Sequence, residues 1–124
     1  MSFKYVSEEF QGLTMIELDK KYVFHIPLFK YTNEKLVAIE MDDILNDLLD
    51  KFSKNGYNSA YMTNVKAFYK SRSFDEVLIT IFTTKINSES PEDIFSKWFK
   101  DNNTALCQEA FAYECGDKMF IEKL

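Results

Sequence analysis

Histidine and arginine are nearly absent from this chain of 124 residues: His25 is the single histidine, and of its 15 basic residues only Arg72 is an arginine. One histidine cannot build a histidine-based metal site. The two cysteines, Cys107 and Cys115, form neither a CxxC pair nor a Cys/His cluster of zinc spacing, so no metal is implied. In one extended segment they would stand roughly 26 Å apart at about 3.3 Å per residue, whereas a disulfide requires Cα atoms about 5.5 Å apart. Two free thiols fit a reducing compartment. With only three glycines there is no glycine-rich phosphate loop, and Walker, dinucleotide-binding and Ser-His-Asp signatures are all missing. No cofactor is implied.

Positive charge is also outweighed. A net charge of -5 and an isoelectric point near 4.9 oppose binding to a phosphate backbone, which draws its non-specific affinity from clustered lysine and arginine. Nucleic acid is therefore not expected as a partner. The longest apolar stretch, VLITIF at 77–82, is far short of the roughly 20 residues of a membrane span, and the first residues, MSFKYVSEEFQG, lack a basic region followed by a long apolar one. These features predict a cytoplasmic protein without membrane contact. No repeats, linkers or low-complexity segments interrupt the chain, and residues 1–124 read as one domain.

Aromatics are plentiful, with 12 Phe and 7 Tyr, and they fall into periodic patterns. In KYVFHIPLF, residues 21–29, Tyr22, Phe24, Ile26 and Leu28 alternate with Val23, His25 and Phe29, which predicts a strand ending or bulging at Pro27. A polar loop, KYTNEK, follows. Met41, Ile44, Leu45, Leu48, Leu49 and Phe52 then form one helical stripe, stopped at Asn55-Gly56. Residues 59–69 alternate again, KSRSFDE reads as a turn, and VLITIFTT is apolar on both faces, as an inner strand should be. Ser90, Pro91 and Asp93 open a second helix whose buried face is Ile94, Phe95, Trp98 and Phe99. The chain closes with a hairpin, QEAFAYEC and KMFIEKL, turned at Gly116-Asp117.

From residue 21 the order is strand, helix, strand, strand, helix, strand. That is the ferredoxin-like βαββαβ sandwich, an α+β fold with an antiparallel sheet and two helices on one face, here with a C-terminal β-hairpin and an N-terminal extra strand, LTMIEL at 13–18, whose place the pattern leaves open. Alternation assigns Phe24, Ile26, Leu28, Val65, Ala67, Val77, Ile79, Ile81, Phe111 and Tyr113 to the helix side. The second face then holds His25, Phe29, Met62, Asn64, Lys66, Phe68, Leu78, Thr80, Phe82 and Glu114. It is too apolar to stand bare in water, which predicts a cover: a homodimer through this face, the N-terminal segment, or a ligand.

His25 has two readings on that face, a hydrogen-bonded structural ring or a general acid/base, and the second requires an orienting carboxylate, for which Glu114 is the candidate. Asn64, Lys66, Thr80 and Glu114 are the candidate ligand-binding residues around it. DDILND, residues 42–47, superficially resembles an aspartate-rich magnesium segment, but its acids fall on the solvent side of the first helix, and Arg72 in KSRS lacks a glycine to bring backbone amides to an anion. On this pattern the sequence favours a non-enzymatic regulatory, ligand-sensing or protein-interaction domain. The alternative is a small α+β-barrel enzyme using His25, and a lower one is a mobile-element inhibitor or immunity protein.

Overall fold

Eight residues of alternating character, Lys20–Pro27, make the strand β1 on which the rest is built, with Tyr22, Phe24 and Ile26 turned into the core. A computed structural model describes residues 15–124. Pro27 ends β1, as a residue without an N–H should. The expected polar loop is instead a second hairpin, β2 (Phe29–Thr32) and β3 (Lys35–Ala38), forming its own two-stranded sheet. Its turn places Asn33 at φ +53° and Glu34 at φ +64°, the left-handed pair that a tight hairpin requires. No glycine announces it, which is why the sequence alone reads as a loop.

Helix α1 (Asp42–Lys54) carries the apolar stripe seen in the sequence, and Leu48 and Phe52 are fully sunk in the core. It stops where Gly56 takes φ +86°. The positive φ favours glycine, and a Cβ at that position would sit 2.7 Å from Asn87 Nδ2, so a side chain there would also displace the end of Asn87. Strand β4 (Ala60–Tyr69) turns through Lys70 and Ser71, both at positive φ, into β5 (Arg72–Thr83). The predicted turn KSRSFDE is thus cut to two residues, and Arg72 to Glu76 are strand.

Helix α2 (Pro91–Asp101) begins as expected: Ser90 Oγ accepts from Asp93 N at 3.3 Å. A short α3 (Asn103–Leu106) follows, then β6 (Ala110–Cys115) and β7 (Lys118–Lys123). Of the extra strand expected at 13–18, residues 13 and 14 lie outside the described residues, and 15–18 are not in a strand.

The main sheet runs β4-β5-β1-β6-β7, antiparallel throughout, and this topology is compatible with the ferredoxin-like α+β plan, the two most apolar strands at its centre. Both long helices pack on one side. Phe24 is the hub, with ring centroids 5.3 Å from Phe52 of α1 and 4.7 Å from Phe95 of α2. Trp98 Nε1 donates to the Ile44 carbonyl at 2.7 Å, which satisfies the one polar atom of this large side chain and ties α2 to α1.

One expectation about the sheet is overturned. Residues directly opposite in a ladder share a face, and Asn64 stands opposite the core residue Val77, Met62 opposite Ile79, and Lys66 opposite Asp75. Met62, Asn64, Lys66 and Phe68 therefore lie on the helix side. Tyr61, Thr63, Val65 and Ala67 occupy the second face. A strand's side chains alternate with period two, so a register shifted by one residue exchanges the faces completely. Phe29 also leaves the second face, because it belongs to the β2–β3 hairpin.

Candidate functional site

The second face is built from β1, β5 and β6 by the same alternation. Opposite Val23 stand Thr80 on β5 and Glu114 on β6, and opposite Pro27 stands Glu76. His25, two residues from each of these β1 positions, lies between the two glutamates. Its Nε2 is 2.7 Å from Glu114 Oε2, and its Nδ1 is 3.7 Å from Glu76 Oε1. The ring is largely shielded, Glu76 nearly as much, and Glu114 less.

An imidazole with a carboxylate at each nitrogen is best satisfied when both nitrogens are donors, that is, as imidazolium. Its pKa is accordingly raised above 6.5: Glu76 contributes most, partial burial opposes the shift, and Glu114, the nearer by distance, adds to it. With the ring protonated, one cation beside two carboxylates would leave the unit with a net negative charge. It can attract a positively charged ligand, and it can hold or pass a proton. Thr80 is 5% exposed on the same face, one step along β5 from the ring's neighbour Leu78.

The sequence-derived set is thus divided. His25, Thr80 and Glu114 come together, and Asn64 and Lys66 lie on the opposite side of the sheet. Lys66 Nζ there pairs with Asp75 Oδ1 at 2.8 Å. Glu76 was missed because Ser-Phe-Asp-Glu has the composition of a turn. Counting back in steps of two from Thr80 and Leu78 would have placed it on the face of His25.

A second polar cluster lies on the helix side. The Tyr22 hydroxyl is pushed well above its usual pKa by burial, by Glu92 and by Cys115. Burial likewise raises Tyr57, whose hydroxyl donates to the Glu89 carbonyl at 2.6 Å and accepts from Asn87 N at 3.0 Å. These tyrosines stay neutral and structural. Asp42, Asp43, Asp47 and Asp50 are all exposed on α1, and Asp47 and Asp50 pair with Lys51 and Lys54. Among the described residues no group of three or more His, Cys, Asp or Glu is placed to hold a metal ion. Arg72 lies over the Tyr31 ring, 5.1 Å from its centroid. Both cysteines are free thiols. Among the described residues no helix is long and apolar enough to cross a membrane.

No protein-family model and no curated protein matches the chain. Solved structures do share its fold. A phage SAM lyase in complex with S-methyl-5'-thioadenosine aligns with a TM-score of 0.56 at 14% identity, over 91% of this chain and 95% of that one. A phage SAM lyase in the apo state aligns with a TM-score of 0.53 at 15% identity, over 90% and 97%. At such identity the likeness is one of fold. Both of these structures are of an enzyme, and this is the finding against the expectation of a non-enzymatic regulatory domain.

Proposed function

We propose that this protein is an enzyme working at the second sheet face through Glu76, His25 and Glu114, on a positively charged sulfonium nucleoside of the S-adenosylmethionine type. The observation that carries the reading is the imidazole held between two carboxylates on the strands flanking β1. The likeness of fold to a SAM lyase, one structure of which holds S-methyl-5'-thioadenosine, supports the choice of ligand.

The chemistry assigns the groups. Converting S-adenosylmethionine to S-methyl-5'-thioadenosine breaks the bond from sulfur to the aminobutyrate chain, and the electron pair stays on sulfur, which loses its charge. Carboxylates beside the sulfonium strengthen binding of the substrate, but their grip weakens as the charge disappears, so they add affinity more than rate. Rate requires an acceptor for any proton the carbon fragment gives up. A protonated His25 is no base. Glu76 or Glu114 takes that role: it removes a proton from the carbon next to the one bonded to sulfur, the C–H pair becomes a carbon–carbon double bond as the C–S pair stays on sulfur, and the proton passes from the carboxylate to solvent, with His25 orienting the carboxylate.

Two surface grooves among the described residues, one at the base of the β2–β3 hairpin and one beside Arg72, are not lined by His25. A pocket over it is completed by a facing copy of the chain, and the apolar second face supports such a homodimer: Tyr61 is 54% and Ile121 68% exposed there. We read residues 1–124 as one domain, and its free thiols and negative charge suit the cytoplasm, with no nucleic acid as partner.

The test is incubation of the purified protein with S-adenosylmethionine and chromatography for S-methyl-5'-thioadenosine. Product is expected, with Glu76→Gln or Glu114→Gln slowing its formation by roughly 10²-fold or more. Neither product nor saturable binding of S-adenosylmethionine at neutral pH would overturn the reading.

A further inference from the structure

The helices α1 and α2 cover the middle of the sheet and leave the helix side of edge strand β4 bare, where Met62, Asn64, Lys66 and Phe68 are exposed. At that end a groove of 730 Å³ opens between the base of the β2–β3 hairpin, the first turn of α1 and strands β4 and β5. This volume lies within the range of small-molecule sites, about 300–1,000 Å³.

The groove has both apolar and acidic lining. Leu28, Ile39 and Met41 supply apolar lining, and Ile39 and Met41 are buried members of the core. The charged lining is Glu40, Asp42, Asp75 and Lys66. Lys66 is occupied by Asp75 at 2.8 Å. Glu40 and Asp42 have no basic partner among the described residues, which leaves two uncompensated carboxylates. The positive end of the α1 dipole, about half a charge, is outweighed by Asp42 and Asp43 in its first turn. The Asn64 carboxamide, also without a hydrogen-bond partner among the described residues, supplies a neutral donor and acceptor on the far wall.

An anion is excluded by this balance, and a wholly polar cation would leave the apolar lining wet. We propose that the groove binds a small organic cation with an apolar body, its ammonium group between Glu40 and Asp42 and its body over Leu28, Ile39 and Met41. This site lies on the opposite side of the sheet from His25 and is independent of it.

The test is an amide NMR titration of the full chain with phenethylamine and, separately, with its neutral isostere 2-phenylethanol. Saturable shifts are expected at Asp42, Asn64 and Lys66, with the amine binding roughly fivefold or more tighter at low salt. The double variant Glu40→Gln, Asp42→Asn should bind amine and alcohol alike. Asn64→Trp should block both, with an unchanged circular dichroism spectrum. Equal binding of the two probes by the wild type, absence of saturable shifts, or shifts centred on His25 and Glu114 would each overturn the proposal. The wild-type comparison decides even where a variant does not fold. Formation of S-methyl-5'-thioadenosine is read separately, so loss of this site leaves the enzyme reading untouched.

Discussion

His25 and Glu114, 89 residues apart in the chain, meet through a 2.7 Å hydrogen bond across the ladder between β1 and β6. Because Glu76 approaches the other nitrogen from β5, one imidazole links three strands of the sheet. The sign of its pH dependence follows from the raised pKa. A proton held more tightly in the folded than in the unfolded chain stabilises the fold fully below about pH 6.5, and that contribution is lost as pH rises through the folded-state value. Denaturant unfolding of wild type and His25→Gln should therefore show a stability gap that is widest at low pH and closes as the solution becomes alkaline. A gap that widens with pH would contradict the raised pKa.

The same ring should be visible in catalysis. His25→Gln is expected to slow turnover of S-adenosylmethionine by roughly 10²-fold and to flatten the alkaline limb of the pH–rate profile, which in the wild type reports loss of the ring's proton. A slowed variant that keeps the wild-type pH profile would give the ring a structural role only.

Gly56 stands at φ +86° with Asn87 Nδ2 where a side chain would begin. Gly56→Val should cost on the order of 1 kcal/mol or more through the backbone alone, and further through displacement of Asn87, whose Nδ2 donates to the Asn55 carbonyl. Equilibrium denaturation checks this. Wild-type stability would contradict the tight packing of Asn87 on the end of α1.

Tyr61 and Met62 are neighbours exposed on opposite faces of β4. If the second face joins two copies, Tyr61→Asp should lower the mass seen by light scattering towards the 14.6 kDa of one chain, and Met62→Asp should not. A monomeric wild type, or equal effects of the two substitutions, would exclude that interface.

Local chemistry was legible in the sequence because its causes lie within a few residues. The stripe from Met41 to Phe52, the Ser90 cap with Pro91, the stop at Gly56 and the hairpin at Gly116-Asp117 all recur in the structure. The order of elements and the central place of β1 and β5 followed from them, since strands apolar on both faces belong inside a sheet. The β2–β3 hairpin was not legible, because Asn33 and Glu34 take left-handed conformations that their types allow and do not announce. The register of β4 was decided by tertiary structure alone. Both of its alternating sets mix apolar and polar residues, and at the edge of the sheet neither is buried deeply enough to select a face, so pairing with β5 makes the choice. That choice sent Asn64 and Lys66 to the helix side, while the straight run of β5 brought Glu76 beside His25. The ion cluster joins three strands distant in sequence, and a distance between such residues exists only once the chain has folded.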